Sequence, residues 1–240
     1  YFLKKQNRST GIPEEDILKI AIKSMGLDDL KPFNPREKVI EYLLEDAHKS
    51  KKLIDLTVKG FADETSRESP APGGGTISAY MGALGAALGT MVANLSSHKA
   101  GWDDRWEEFS TWAERGQAIQ AELMTLVDED TEAFNRIMAA FGLPKGTDEE
   151  KAARKAAMQN GLKSAAKVPC HVAETAARIF PLAKAVVERG NTNAVTDGLV
   201  AAMAARTAVI GAGLNVKINL SSIEDEDFVA EYSARVAALE

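Results

Sequence analysis

Between Thr76 and Ser97 the chain carries no charged residue at all. This run is long enough to span a bilayer, which takes about 20 predominantly apolar residues. Its interior, from Ala79 to Gly89, is nevertheless made largely of small residues and is only weakly hydrophobic. Small residues at every third or fourth position let the backbone of a neighbouring helix approach closely. We therefore predict a buried helix of a soluble helical protein in preference to a membrane span.

The remainder of the chain is also patterned for helices. Apolar residues recur at spacings of three and four, and a second nearly uncharged helix is predicted from about Asp197 to Asn215. Pro169 is predicted to divide the helical region that begins after Thr147. No stretch has the two-residue alternation and β-branched enrichment of a strand. The sequence predicts an all-α fold, a bundle of six to eight helices with two central small-residue-rich helices, preceded by a short helical linker segment.

Residues 1–46 differ in character from the rest of the chain. Pro13 and the series Asn34-Pro35-Arg36-Glu37 mark the beginnings of short helices. Such a short segment cannot bury a core of its own. We predict that residues 1–46 are the trailing end of a preceding domain plus a linker, and that residues 47–240 form the helical domain. Because the chain begins with Tyr1, we expect it to be part of a longer product.

Composition excludes several classes of function. The 240 residues carry a net charge of −6, which argues against nucleic acid as the main partner. The single cysteine, Cys170, forbids an internal disulfide and favours a reducing, cytoplasmic setting. No basic stretch with an apolar core after it marks a signal peptide. The three histidines, His48, His98 and His171, have no pairing at metal-ligand spacing, so no metal site is predicted.

Asp130 is the most informative polar residue. It falls on an apolar stripe with Leu126 and Phe134, each four residues away. A carboxylate facing a core is costly unless it is paired, hydrogen-bonded or placed in a cavity. From spacing alone, a structural and a catalytic Asp130 are both open.

Three glycines, Gly73, Gly74 and Gly75, precede the uncharged helix. Consecutive glycines at a helix beginning can direct backbone N–H groups at a ligand oxygen. The loop lacks the Gly-Lys-Ser/Thr of a phosphate-binding loop, and no strand precedes it as in a dinucleotide fingerprint. A flexible turn between two helices is the alternative.

Three further polar residues are candidates for ligand binding. Asn215 and Asn219, four residues apart at the end of an apolar helix, can present their amides on one face or merely terminate the helix. Asp197 comes after Gly190-Asn191-Thr192-Asn193 and is expected in or beside a helix N-terminus.

These features together resemble the cyclodeaminase/cyclohydrolase family of folate enzymes. The resemblance extends, in the order and spacing of short motifs, across about residues 50–240, and residues 26–43 are similar to the end of a formiminotransferase domain and its linker. The motifs are Phe61-Ala62-Asp63-Glu64, Ser69-Pro70-Ala71-Pro72-Gly73-Gly74-Gly75-Thr76, Leu126-Val127-Asp128-Glu129-Asp130, Val168-Pro169, Gly190-Asn191 with Asp197, and Asn215-Val216 with Ile218-Asn219.

The resemblance implies a cytoplasmic, dimerising, all-helical enzyme of one-carbon metabolism and histidine degradation. It would convert 5-formiminotetrahydrofolate into 5,10-methenyltetrahydrofolate and ammonia, with the folate as substrate and no separate cofactor or metal. Asp130 matches the functional carboxylate of the family. The three glycines with Asp197, Asn215 and Asn219 would bind the pterin or aminobenzoyl group, and Lys99 and Lys163 would pair with the glutamate carboxylates, which can number several in polyglutamated folates.

The sequence departs from the family pattern at two places. Thr76 stands where serine is usual, and His98 and Ala100 flank Lys99 where further basic residues are usual. Two other functions stay open: a methenyltetrahydrofolate cyclohydrolase, which adds water instead of expelling ammonia, and a non-catalytic helical module that only dimerises a larger protein.

Overall fold

The structure, a computed structural model, describes residues 1–6, 8–47 and 52–239. No β-strand occurs in these ranges, so the predicted all-α fold is confirmed. Four helices precede residue 48 and seven lie after residue 52. They are α1 Phe2–Lys5, α2 Glu14–Ser24, α3 Pro35–Lys38, α4 Ile40–Ala47, α5 Val58–Thr65, α6 Gly74–Ser97, α7 Trp106–Phe141, α8 Asp148–Ala177, α9 Ile179–Arg189, α10 Val195–Leu220 and α11 Glu226–Ala237.

In the segment before the bundle, residues 8–11 accept hydrogen bonds at their backbone carbonyls from side chains of α6 and α7. Asn94 Nδ2 donates to the carbonyl of Gly11 at 3.0 Å, and Trp106 Nε1 donates to the carbonyl of Arg8 at 2.9 Å. Gly11 lies so close to α7 that a Cβ on it would approach the Cβ of Ala113 to 2.2 Å. Residues 8–11 are therefore seated on α6 and α7.

Helix α6 is the centre of the bundle and packs against α7, α8, α9 and α10. Its small residues make this possible, because a Cβ at Gly85 would already lie 3.1 Å from the carbonyl of Ala201 on α10. The burial is incomplete, however: Leu84, Met91 and Leu95 keep 47%, 39% and 40% of their surface exposed.

The second small-residue helix, α10, buries one face and exposes the other. Ala201, Ala205, Ala208 and Ala212 pack inward with no exposed surface. The opposite face exposes large apolar side chains: Leu199, Val200, Met203, Ile210, Leu214 and Ile218. By length and composition alone, residues 74–97 and 192–220 would suffice to cross a membrane, although the first is mostly buried against the other helices.

The predicted division at Pro169 is wrong, since α8 continues through this proline to Ala177. Proline has no N–H, so the carbonyl of the residue four positions earlier loses its helical donor. That residue is Ala165, and its carbonyl accepts a hydrogen bond from Asn219 Nδ2 on α10 at 2.9 Å. The amide of Asn219 therefore replaces the donor that Pro169 lacks.

This replacement predicts a coupled effect on stability. In Asn219→Ala the buried carbonyl of Ala165 has no donor, and we expect the free energy of unfolding to fall by about 1–3 kcal/mol. In a Pro169→Ala background the restored N–H can serve the same carbonyl, and the same substitution should cost about 1 kcal/mol less. Chemical denaturation of the two single variants and the double variant measures this coupling; equal costs in both backgrounds would contradict the replacement.

Candidate active site

A cavity of about 230 Å³ opens at the N-terminus of α6. It brings together six of the residues that the sequence singled out, from the glycine loop, α7 and α10. Its described lining consists of Pro70, Ala71, Gly73, Gly74, Gly75, Asp130, Thr131, Phe134, Ala165, Asn215, Ile218 and Asn219.

Asp130, on α7, lines this cavity. Its Oδ2 accepts a hydrogen bond from the hydroxyl of Thr76 at 2.8 Å, and the hydroxyls of Thr76 and Thr131 lie 3.3 Å apart. The backbone N–H of Thr76, in the first turn of α6, also donates to the carboxylate. The carboxylate therefore faces the positive end of the α6 dipole, which favours a negative charge.

Burial nevertheless raises the pKa of Asp130 above its ordinary value, against the opposing effect of the two hydrogen bonds from Thr76. A raised pKa makes the ionised carboxylate a stronger base, and it brings the pKa of the group closer to neutral pH, where one side chain can both accept and donate a proton efficiently. The geometry thus suits a group that takes a proton and then gives it back.

The glycine loop is shaped by this carboxylate. A Cβ on Gly75 would lie 2.3 Å from Asp130 Oδ1, and a Cβ on Gly74 would lie 2.8 Å from Asn215 Nδ2. At Gly73 the nearest atom to such a Cβ is the carbonyl oxygen of Pro70, at an ordinary 3.5 Å. At Gly74 and Gly75 a side chain would collide with Asn215 and Asp130, so glycine is needed at both positions. At Gly73 a side chain would meet no such obstacle.

The two asparagines present oxygen atoms to the cavity. Asn215 Nδ2 donates to the carbonyl of Gly211 at 2.8 Å, and Asn219 Nδ2 donates to the carbonyls of Ala165 and Asn215, both at 2.9 Å. Since a carbonyl accepts only from the NH₂ side of an amide, these bonds fix the orientation of both side chains. Neither Oδ1 has a donor among the described residues, so both are open acceptors.

The lining as a whole is rich in acceptors. It offers one carboxylate, two amide oxygens and the hydroxyl of Thr131. No lysine, arginine or histidine is among the described residues that line it. Such a surface suits a ligand that carries N–H donors and positive charge, and it repels an anion.

Lys99 and Asp197 lie far from this cavity within one chain. Lys99 lies just after the C-terminus of α6, whose 24 residues extend for about 36 Å, and its ammonium packs over the ring of Trp102. Asp197 lies in the first turn of α10, about 27 Å along the helix from Asn215. Within one chain, helix length therefore separates both residues from the glycine loop, and their roles in ligand binding stay predictions.

Lys163 does not line the cavity either. Its ammonium forms an ion pair of 2.6 Å with Asp225, the cap of α11, so its charge is already neutralised. The reason is helical phase: Lys163 precedes the lining residue Ala165 by two positions, which places it on another face of α8.

Sequence reasoning missed the pairing of Thr76 with Asp130 and the contribution of Thr131. A signal for the pairing of Thr76 with Asp130 was present in the sequence, because Thr76 keeps a hydroxyl where serine is usual in the family.

Among the described residues no group of three His, Cys, Asp or Glu could hold a metal ion, and His48 lies outside them. Cys170 is buried, and burial with the nearby Glu174 raises the pKa of its thiol to about 11, so it is no thiolate nucleophile.

Comparisons with known proteins show which family this chain belongs to. The model of the family described as formiminotransferase-cyclodeaminase matches residues 57–238, and that of the formiminotransferase domain matches residues 1–45. Formimidoyltransferase-cyclodeaminase of Mus musculus is 37% identical to this chain over 95% of its residues. The protein of the same name from Gallus gallus is 37% identical over 100% of this chain. The chain spans only 42% and 44% of these two relatives.

Two further relatives are short enough that this chain aligns with most of their length. Methenyltetrahydrofolate cyclohydrolase of Methylorubrum extorquens is 38% identical over 73% of the chain and 84% of its own length. The crystal structure of formiminotetrahydrofolate cyclodeaminase from Thermotoga maritima aligns with a TM-score of 0.66 and 31% identity, over 78% of the chain and 93% of that structure. The chain therefore belongs to the formiminotransferase-cyclodeaminase family.

Proposed function

We propose that this chain carries a formiminotetrahydrofolate cyclodeaminase, which converts 5-formiminotetrahydrofolate into 5,10-methenyltetrahydrofolate and ammonia. The observation that carries the proposal is the half-buried carboxylate of Asp130 in a cavity lined by acceptors and by no described cation. The substrate fits this electrostatic character, because its formimino group is an amidinium and its reduced pterin ring carries several N–H donors.

The reaction needs proton transfers between two nitrogen atoms that lie close together. N10 attacks the formimino carbon and forms the N10–C bond, and N10 then loses its proton. The amino group on that carbon gains a proton and leaves as ammonia when the C–N bond breaks, which generates the methenyl cation. A single carboxylate can accept the N10 proton and deliver it to the departing nitrogen.

The neighbouring residues support these steps. Thr76 fixes the carboxylate through its hydroxyl and its backbone N–H, so the oxygen that receives the proton is held in position. The open Oδ1 atoms of Asn215 and Asn219 are placed to accept hydrogen bonds from the pterin ring. The lack of side chains at Gly74 and Gly75 allows the ring to approach the carboxylate closely.

The second candidate is a methenyltetrahydrofolate cyclohydrolase, favoured by the relative of that name from Methylorubrum extorquens. The cyclodeaminase forms the methenyl compound as ammonia leaves, whereas the cyclohydrolase interconverts the methenyl compound and 10-formyltetrahydrofolate by adding or removing water. Incubation with 5-formiminotetrahydrofolate and with 10-formyltetrahydrofolate in parallel separates them. We expect ammonia and methenyl absorbance from the first substrate; turnover of the formyl substrate alone would establish the cyclohydrolase, and no turnover of either would leave only a scaffold.

We also propose that the chain functions as a cytoplasmic homo-oligomer whose contact includes the exposed face of α10. Leu199, Met203, Ile210, Leu214 and Ile218 succeed one another at spacings of four and seven, so they form one apolar stripe. A continuous exposed apolar surface favours contact with a second protein surface. A two-fold axis crossing α10 near its middle would pair this stripe with itself.

The same two-fold axis would bring Lys99 and Asp197 of one copy towards the cavity of the other. In an antiparallel pair of α10 helices, the N-terminal end of one helix lies beside the C-terminal end of the other. Lys99 and Asp197 can therefore serve the cavity of a second copy, although they cannot serve their own.

Met203, which is 67% exposed near the middle of the stripe, provides a test. We expect Met203→Glu to shift the chain to a monomer in sedimentation equilibrium, because a charge would be buried at the contact without a partner. Met138→Glu, at an exposed methionine on α7, is the matched control and should leave the mass unchanged. An unchanged mass for Met203→Glu, or binding of the chain to lipid vesicles through this face, would contradict the oligomer contact.

A further inference from the structure

Two side chains of α7 that line the cavity, those of Asp130 and Thr131, are connected through a buried third. Thr76, in the first turn of α6, has no exposed surface. Its hydroxyl donates to Asp130 Oδ2 at 2.8 Å and lies 3.3 Å from the hydroxyl of Thr131. Asp130 and Thr131 are successive residues of a helix, so their side chains diverge by about 100°. A buried hydroxyl therefore connects two groups that point in different directions.

The direction of each hydrogen bond in this series follows from the number of hydrogens available. A threonine hydroxyl has one hydrogen and two lone pairs. The hydrogen of Thr76 is used on the ionised carboxylate of Asp130, which can only accept. Between the two hydroxyls, Thr131 is therefore the donor and Thr76 the acceptor. Every hydrogen then points towards Asp130, and the lone pairs of Thr131 are left to accept from a ligand in the cavity.

Thr131 differs in this respect from the other threonines of α7. The hydroxyls of Thr111 and Thr125 donate to the carbonyl four residues earlier, at 2.9 and 3.2 Å. Threonine often forms this bond within a helix. In the part of the chain that the structure describes, Thr131 forms no such bond, and its hydroxyl faces Thr76 instead. Its hydrogen is therefore available for a proton transfer and is not held by its own helix.

The distance of 3.3 Å between the two hydroxyls exceeds the usual O–H···O length of about 2.5–3.0 Å. Catalytic hydrogen bonds are often long before the substrate binds and shorten in the complex. A ligand N–H that donates to Thr131 polarises its O–H and strengthens its bond to Thr76, because hydrogen bonds in series reinforce one another. We therefore expect this series to shorten when the substrate occupies the cavity.

We propose that Thr131 is a catalytic residue that exchanges protons with the substrate, and that Thr76 passes these protons between Thr131 and Asp130. The proposal rests on the proposed function for the identity of the substrate. Thr131, Thr76 and Asp130 then form a relay, and the carboxylate needs no direct contact with either reacting nitrogen atom.

In the first pass the relay carries a proton inward. After its attack on the formimino carbon, N10 is a positively charged ammonium whose N–H donates to Thr131. The N–H bond breaks and leaves its electron pair on N10, while Thr131 passes its own hydrogen to Thr76 and Thr76 passes its own to Asp130 Oδ2. Asp130 is then neutral, a state that burial favours by raising the pKa of the carboxyl. Every hydrogen of the relay now points towards the cavity.

In the second pass the same relay carries a proton outward. The departing amino group is bonded to the same carbon as N10, so a small movement brings its lone pair to Thr131. Thr131 gives its hydrogen to this nitrogen, Thr76 replaces that hydrogen, and Asp130 replaces the hydrogen of Thr76 and regains its negative charge. The C–N bond then breaks with its electron pair on nitrogen, which leaves as ammonia and generates the methenyl cation. One hydroxyl therefore serves both nitrogen atoms.

The first test removes the hydroxyl of Thr131 while keeping the shape of the side chain. We expect Thr131→Val to lower kcat for ammonia release by about 10²-fold, as the loss of a positioned acid–base group does. Thr131→Ser keeps the hydroxyl and is expected to recover most of the lost rate. Thr125→Val, on the same helix, removes a hydroxyl bonded to its own backbone and is the matched control, with kcat unchanged. Unfolding curves of the three variants verify that each is folded.

The second test determines how many hydrogens move together. Rates are measured in mixtures of H₂O and D₂O, where several hydrogens in motion give a curved dependence on the deuterium fraction and a single transfer gives a straight line. We expect a curve for the wild type and a straight line for Thr131→Val, in which only direct transfer to Asp130 is left. A purely structural role of Thr131 would not change this dependence. A straight line for the wild type would overturn the relay.

Two substrates separate failure of the relay from failure of the proposed function. Release of ammonia from 5-formiminotetrahydrofolate by the wild type and by Thr131→Val at equal rates would overturn the relay and leave the proposed function standing. Turnover of 10-formyltetrahydrofolate alone, with the same loss in Thr131→Val, would overturn the proposed function and support the relay, because a leaving oxygen needs a proton as a leaving nitrogen does.

Discussion

Replacing Asp130 with asparagine is expected to lower kcat for ammonia release by about 10²–10⁴-fold, the range that a positioned acid–base group contributes. Asparagine keeps the shape of the side chain and one acceptor oxygen for Thr76, but it can neither accept the N10 proton nor deliver it to the departing nitrogen. The measurement is the initial rate of ammonia release at saturating 5-formiminotetrahydrofolate.

The same substitution is expected to leave the fold as stable as before or more stable at neutral pH. Burial raises the pKa of Asp130 in the folded state above its ordinary value of 3.8, so the folded protein binds the proton more tightly than the unfolded chain. Wild-type stability therefore falls as the pH rises from the unfolded pKa through the folded one. Asparagine lacks this titration, so its advantage over wild type should grow from acid to neutral pH in denaturation experiments. A variant that is unfolded at neutral pH would contradict this description of the site.

Gly75→Ala is expected to reduce kcat/KM by at least about 10²-fold, although the substitution adds a single methyl group. The new Cβ would lie 2.3 Å from Asp130 Oδ1, closer than any non-bonded contact, so the carboxylate or the beginning of α6 must move. Either movement displaces the acceptor that Thr76 holds in position. Steady-state kinetics with the formimino substrate and an unfolding curve together measure the effect.

The neighbouring glycine is a matched control for this experiment. A Cβ on Gly73 meets only the carbonyl oxygen of Pro70 at 3.5 Å, and its backbone is in the extended region that alanine adopts freely. We therefore expect Gly73→Ala to retain activity within a few-fold of wild type. Equal losses for the two variants would show that loop flexibility, and not the approach of Gly75 to Asp130, matters.

Sequence patterns located the residues of the cavity at Asp130 because these residues follow the spacing rules of single helices. The apolar stripe on α7 singles out Asp130, and helix phase places Asn215 and Asn219 on one face. The structure adds that both asparagines serve backbone carbonyls with their nitrogen atoms, so they are more than terminating residues. Their roles toward a ligand stay predictions.

Other features depend on contacts between distant segments and could not be predicted locally. The helix continues through Pro169 because an amide 50 residues later serves the exposed carbonyl, which no rule about proline anticipates. The apolar face of α10 remains exposed because its small-residue face alone packs against the bundle, and an uncharged run does not show which face is covered. The boundary at residues 46 and 47 stays a prediction.

The expected binding of the glutamate carboxylates by Lys99 shows the limit of motif matching. Lys99 was assigned to them by resemblance, but the length of α6 separates it from the cavity of its own chain.

The most direct test of the proposed mechanism is the stoichiometry of one reaction in two proteins. Wild type and Asp130→Asn, both shown to be folded by circular dichroism, are incubated with 5-formiminotetrahydrofolate while ammonia and methenyl absorbance are recorded together. We expect one ammonia for each methenyl product in the wild type and almost none of either in the variant. Ammonia release by Asp130→Asn at the wild-type rate would contradict the central claim that this carboxylate carries the proton transfers.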